Sequence, residues 1–310
     1  MTPPLFRQTG IRANLHLRAR AMRAVRAFFD TNGFLEVETP NRIPAPAPEA
    51  HIEPQPSGKA YLHTSPELCM KRLLAAGYPR IYQLCRCHRR GERGRRHLPE
   101  FTLLEWYQAG LDYRAMMDQT TALVCAVTAA CQPEHPDRLV YQGARIDLSP
   151  PWERLSVAEA FERYAPLTME AALTQGRFDE LIALTIEPHL GRKRPVFLCD
   201  YPIACGALAR PKAEAAHLVE RFELYIAGLE LCNAFGELID PAEQRRRFEA
   251  ERRLRQQAGK PVAPLPVPFL DALPHMPPAS GNALGMDRLV MLLADSADIA
   301  SVTAFLPEEL

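Results

Sequence analysis

The 310 residues contain no Cys-x-x-Cys pair, no long apolar run, no surplus of either charge and no internal repeat. Each absence excludes something. No window approaches the roughly 18 consecutive apolar residues of a membrane-spanning helix. The arginine-studded start, MTPPLFRQTGIRANLHLRARAMR, lacks the apolar core of a secretory signal. A soluble cytoplasmic protein with no membrane contact is expected. Lysine plus arginine equals aspartate plus glutamate at 37 each, so there is no global basic field to drive nucleic-acid binding. Of the eight cysteines, the tightest cluster is Cys85 and Cys87 with His88. A structural zinc site needs four converging ligands, so the cysteines read as free thiols of a reducing compartment and no metal is assigned to them.

The length suits one large domain with a sizeable core. Ile11, Leu15, Met22, Val25 and Phe29 recur at helical spacing and stop at Asn32-Gly33. FLEVETP follows as a short strand, and the proline-rich residues 41–60 read as an extended surface loop. SPELCMKRLLAAG is a helix with Ser65 as cap and Pro66 at its first position. RIYQLCRCH and FTLLEWYQA are strands joined by a basic loop. Residues 110–195 read as helices, with a Ser156–Glu159 capping box. PVFLCDYP is a buried strand, ERFELYIAGLELCNAFGEL two strands around Gly228, and PAEQRRRFEAERRLRQQ a solvated helix. PPASGNALGMDRLVMLLA reads as a glycine turn running into an apolar helix near Asp287-Arg288.

Three constellations could carry chemistry. In HLPEFTLLEWYQAG, side chains alternate between faces, so Phe101, Leu103, Glu105 and Tyr107 share one face: a ring and an acid side by side. The loop 89–98 carries five arginines, His97 and two glycines, a composition suited to anion binding and equally to an exposed basic hairpin. Asn233, Phe235 and Glu237 repeat the acid-and-aromatic pattern on another strand. Two inward carboxylates are costly unless a cation lies between them, which an organic ammonium or a metal would supply.

FLEVETP, the segment Arg89 to Phe101 and the glycine segment ending in Arg288 resemble motifs 1, 2 and 3 of the class II aminoacyl-tRNA synthetases. SPELCMKRL, HLPEFTLLEWY and ELCNAFGEL are similar to the lysyl subgroup, and the match runs from about Ile11 to Phe305. The resemblance implies an α+β fold, an antiparallel sheet flanked by helices, formed by one catalytic domain over residues 1–310. It implies ATP and Mg²⁺ as cofactors and a homodimer. Arg89 and Arg288 would be the catalytic cations, with Arg89 on the α-phosphate and substrate carboxylate. His97 and Arg288 would face the terminal phosphates, Phe101 would stack on adenine, and Glu223 and Glu230 would hold magnesium, Glu230 beside the nucleotide. Glu67 would meet the substrate amino group and Asn233 its carboxylate. Glu105, Tyr107 and Glu237 would take the side-chain ammonium of lysine, with Ser65, Cys232 and Phe235 bordering the amino acid.

A lysyl-tRNA synthetase normally carries an anticodon-binding domain before this core, whereas here the motif 1 helix begins near residue 11. The resemblance is therefore to the free-standing branch that attaches (R)-β-lysine to a lysine of elongation factor P. It implies that factor as partner, lysine or (R)-β-lysine as substrate and no stable tRNA binding. Ser65, the stretch SGNALG and Cys232 favour this branch, and Cys232 would crowd an α-amino group while leaving a β-amine room. Two departures stand out. Motif 2 reads His88-Arg89-Arg90-Gly91 with Glu92 one place late, so that either Glu92 takes over the adenine contact or nucleotide binding weakens. Ala234 replaces a usual glycine. Activation of lysine for a tRNA or small-amine acceptor, and a non-catalytic regulator with the same pocket, are the competing readings.

Overall fold

The computed structural model describes residues 6–206 and 208–310, so the first five residues of the arginine-studded segment lie outside the described residues. Its centre is a nine-stranded sheet. The order across it is Leu35–Glu36, Arg80–His88, Glu100–Ala109, Ala279–Gly285, Leu229–Gly236, Ala215–Ile226, Val196–Pro202 and Glu153–Ser156, with Pro211–Lys212 paired to Ala215–Ile226. The pairings are antiparallel through the middle and parallel at the two ends, where Leu35–Glu36 and Glu153–Ser156 join. The sheet is thus mixed, its antiparallel centre matching the α+β expectation.

The alternation read in the strand Glu100–Ala109 is real. Leu104 and Trp106 are fully buried on one face, against the helices Arg12–Thr31 and Tyr113–Cys131. Phe29 of the first helix stacks on Tyr82 with ring centroids 4.5 Å apart, and the Trp106 indole donates to Gln119 at 2.8 Å. Buried Asp287 accepts the Thr102 amide at 2.7 Å and an Arg18 N–H at 2.6 Å. That clasp fixes the helix Met286–Leu293 to the sheet, and with it the neighbouring Arg288. Phe101, Leu103, Glu105 and Tyr107 take the other face.

Four expectations need correction. The segment 281–285 is the end of the central strand Ala279–Gly285, and not a turn. Its glycine is required sterically: a Cβ on Gly281 would stand 2.2 Å from Tyr107 Cε1 and 2.5 Å from Glu237 Oε1. Residues 110–195 are only partly helical. Leu139, Tyr141 and Ile146 are buried while Val140 is exposed, and this period of two makes a hairpin Arg138–Tyr141/Ala144–Asp147, turned by Gln142 and Gly143 at positive φ. Residues 41–60 contribute to a small three-stranded sheet, Arg42–Ile43, Gln55–Ser57 and Ala60–Leu62, instead of a bare loop. The helix Pro241–Gln257 is not simply solvated. Arg247 donates to the carbonyls of Gly206 and Ala209, and Arg255 to those of Glu49 and Ile52, so one guanidinium ties the helix to residues 206–209 and the other to the 41–60 segment. Among the described residues, no helix is long and apolar enough to cross a membrane.

Candidate active site

A cavity of about 660 Å³ lies on the sheet face that carries Phe101 and Leu103, roofed by residues 43–52. One end is basic. Arg89, Arg96, His97 and Arg288 line it together with Phe101 and Glu92. The Arg89 guanidinium lies over the Phe101 ring at 5.0 Å, and its buried Nε has no hydrogen-bond partner. A buried donor without an acceptor is costly, and it marks a place where an anion is wanted. Gly91 takes φ +80° in the loop, and Glu92 reaches the cavity wall with its carboxylate 3.9 Å from Arg89. The late glutamate therefore stands in the site.

Arg288 donates to the Glu230 carbonyl at 2.7 Å and to its carboxylate at 3.1 Å, and lies 2.6 Å from His97 Nε2. Burial first, then the charges of Arg288, Arg89 and Arg96, push the His97 imidazole down to about 4. Near neutral pH the ring is thus uncharged and its Nε2 accepts from Arg288. A polyphosphate placed between these groups would cancel the repulsion, so ATP is expected to raise the His97 pKa and take up protons on binding. Affinity should then increase as pH falls from the raised value towards 4. Histidine NMR titration with and without ATP checks this; an unmoved His97 resonance would put the phosphates elsewhere.

The other end is acidic and deeper. Ser65, Glu67, Asn233 and Phe235 line the cavity, while Glu105, Tyr107 and Glu237 are buried beneath it. The Ser65 hydroxyl donates to Glu105 Oε2 at 2.7 Å and accepts the Glu67 amide at 3.0 Å, so it holds the entry to the helix Glu67–Ala75, whose N-cap residue is Pro66 and not Ser65 as expected, and orients an acid at once. The Tyr107 hydroxyl donates to Glu105 Oε1 at 2.6 Å. The cation between the acids comes from the chain itself. Lys71, fully buried, places Nζ 2.5 Å from both Glu67 and Glu237. The sequence reading missed Lys71, although a lysine four residues after Glu67 shares its helix face. Three carboxylates still face one ammonium. Burial, then the Glu67 charge, holds Glu105 well above the carboxylate range, and burial pushes Glu237 up to about 7 against the pull of Lys71.

Glu230 lies on the cavity wall, whereas Glu223 sits below it, its carboxylate accepting from Tyr201, Tyr225 and Arg221 at 2.5–2.6 Å. Burial, then the charges of Glu230 and Glu223, pushes nearby Glu187 up to about 7. Three acids against the two guanidinium groups of Arg221 and Arg288 leave an oxygen donor set that fits Mg²⁺, with Glu230 as the accessible ligand and Glu223 already saturated by three donors. Arg221 is a second missed residue: it also holds Asn233 Oδ1 at 3.1 Å. Its position two residues before Glu223, on the same strand face, was the available signal.

Cys232 does not border the cavity. Its neighbours Leu231 and Asn233 do, and strand alternation turns Cys232 into the core among Leu224, Ala234 and Leu284. The steric argument for β-lysine from this residue therefore fails. The cysteine cluster also changes membership, since His88 turns towards Glu100 and His63 joins Cys85 and Cys87 instead.

A model of the tRNA synthetases class II (D, K and N) family matches residues 4–309. The chain is 40% identical to the lysine–tRNA ligase of Moorella thermoacetica over 93% of its own length and 64% of that protein's. It is also 40% identical to the elongation factor P–(R)-beta-lysine ligases of Edwardsiella ictaluri and Yersinia enterocolitica, over 94% of each chain. With motif-bearing residues gathered around one cavity and the family model spanning nearly every position, the chain belongs to the class II tRNA synthetases of the D, K and N group, a family of ATP-dependent amino-acid ligases.

Proposed function

We propose that the protein activates (R)-β-lysine or lysine with ATP and transfers it to a lysine side chain of elongation factor P. One observation carries the choice of amino acid. Glu67, Glu105 and Glu237 converge on a single internal ammonium, Lys71; with all three ionised the buried pocket lacks two positive charges, and the raised pKa of Glu105 and Glu237 is the sign of that shortage, protons standing in where no cation is bound. Lysine and β-lysine each bring two ammonium groups. A substrate with one would leave one of these acids protonated and forgo a buried charge pair, whose loss costs on the order of 3–5 kcal/mol when such a pair is broken.

Arg89 and Asn233 would fix the substrate carboxylate at the junction between the acidic and basic ends. That carboxylate attacks the α-phosphorus in line, and pyrophosphate leaves as the bond to the β-phosphate oxygen breaks. Arg89, Arg288 and Arg96 offset the charge that develops, Phe101 supports the adenine ring, and Glu92 faces its amino edge. Mg²⁺ at Glu230 would supply further charge neutralisation on the phosphates. The acceptor amine then attacks the activated carbonyl and AMP departs, its proton passing to solvent. We read the whole of residues 1–310 as one catalytic domain, working in the cytoplasm as a homodimer without stable tRNA binding.

The elongation factor P ligases, matched over 94% of each chain, support this acceptor. A lysine–tRNA ligase at the same identity supports a tRNA acceptor as the second reading. Purified protein with Mg²⁺ and ATP is expected to catalyse pyrophosphate exchange dependent on lysine or β-lysine, and to add that residue's mass to elongation factor P. Efficient lysyl-tRNA formation with unmodified elongation factor P would select the second reading; absence of exchange with any amino acid would reject both.

A further inference from the structure

Cys85 and Cys87 are two residues apart on the strand Arg80–His88 and share a face, opposite Leu103 and Phe101 in the ladder. His63 reaches them from the segment just before Ser65. One ligand atom from each of the three lies within 4.8 Å of the others, and the two Sγ atoms are 3.8 Å apart. Zinc–sulfur bonds of about 2.3 Å at a tetrahedral angle set two sulfurs about 3.8 Å apart. The thiols therefore already stand at ligand spacing, far beyond the roughly 2.05 Å of a disulfide.

The imidazole is prepared in the same sense. His63 Nε2 lies 2.7 Å from the carbonyl oxygen of Arg86, which can only accept, so Nε2 carries the proton and Nδ1 the free lone pair. Metal-binding histidines are oriented by a bond of this kind. A fourth donor is at hand. Gln83, on the same strand face and 2% exposed, hydrogen-bonds Cys85 through its side chain and leaves its amide oxygen buried without a partner.

We propose that Cys85, Cys87 and His63 bind a soft divalent cation, Zn²⁺ in the first instance, with Gln83 Oε1 in the fourth position. Each thiol releases its proton to solvent on binding, and two thiolates with a neutral imidazole cancel the charge of the ion. A neutral unit can remain buried beside Glu105 where a lone dication could not. The ion would tie residue 63 to the sheet, and so hold the Ser65–Glu67 turn that builds the acidic end of the cavity. This site is separate from the Glu230 acids, which offer only hard oxygen donors, and it does not depend on the acceptor chosen above.

Metal-stripped, reduced protein titrated with Co²⁺ is expected to show a thiolate-to-cobalt charge-transfer band and strong tetrahedral visible bands, saturating at one equivalent and displaced by Zn²⁺. Cys85→Ser and Cys87→Ser should each diminish the charge-transfer band, and His63→Gln should weaken binding roughly tenfold or more. Cys69→Ser and Glu230→Gln should leave the spectrum intact. Should a cysteine variant fail to fold, alkylation of wild-type protein mapped by mass spectrometry gives the same information: Zn²⁺ should protect Cys85 and Cys87 selectively. No cobalt–thiolate band in wild type, a band that survives Cys87→Ser undiminished, or thiols alkylated equally with and without Zn²⁺ would overturn the proposal.

Discussion

Lys71→Met is expected to destabilise the fold by about 3–5 kcal/mol, the cost of stripping one partner from a buried charge pair. Methionine nearly matches the lysine stem, so packing changes little and the effect isolates the charge. Lys71 Nζ is 2.5 Å from both Glu67 and Glu237, and its side chain is wholly inaccessible. Burial opposes its charge, yet the two carboxylates outweigh burial and raise its pKa. Without the ammonium, Glu67 and Glu237 must either stay charged in a dry site or bind protons. Urea unfolding at neutral pH measures the loss. The double variant Lys71→Met/Glu237→Gln should recover part of it, because the second change removes the charge that the first leaves exposed. A single-variant loss within about 0.5 kcal/mol would be that of an unremarkable surface site. It would show that the acids are already neutral, and the two-ammonium argument for lysine would fall with it.

Arg89→Ala should act on the reaction and not on the fold. Its guanidinium lies over the Phe101 ring and 3.9 Å from Glu92, while its Nε is unpartnered among the described residues. Removal is expected to change stability by no more than about 0.5 kcal/mol. Loss of a charge that stabilises a phosphoryl-transfer transition state costs on the order of 10³-fold in rate. The kcat for lysine-dependent pyrophosphate exchange should fall by that order. Arg89→Lys should restore only part, since an ammonium cannot grip two oxygens in the planar fork of a guanidinium. Exchange by Arg89→Ala within roughly tenfold of wild type would mean that the α-phosphate is held elsewhere.

How much of this was legible in the sequence differs by element. The alternation of Phe101, Leu103, Glu105 and Tyr107 against Leu104 and Trp106 was readable because strand period is a local property, and the structure keeps both faces as read. The capping box at Ser156 and Glu159 held for the same reason. The hairpin at 138–147 was missed because two four-residue strands leave too short a pattern to stand out among helices. The strand Ala279–Gly285 reads as a turn in the sequence because glycines cluster there ahead of a helix. The cause of Gly281 lies elsewhere in the chain, in Tyr107 and Glu237, whose side chains occupy the space of a Cβ at that position.

By itself the sequence determined the order of the motif-bearing segments, the faces of the central strands and the residue types needed to hold phosphates and an ammonium. These follow from periodicity and side-chain chemistry along a single stretch of chain. Only the tertiary structure decided which charges meet. It set Lys71 between two acids, turned Cys232 away from the cavity while its neighbours line it, and exchanged His88 for His63 beside Cys85 and Cys87. Electrostatic partnership and burial depend on distances of a few ångströms between segments far apart in the chain, and no local pattern encodes those.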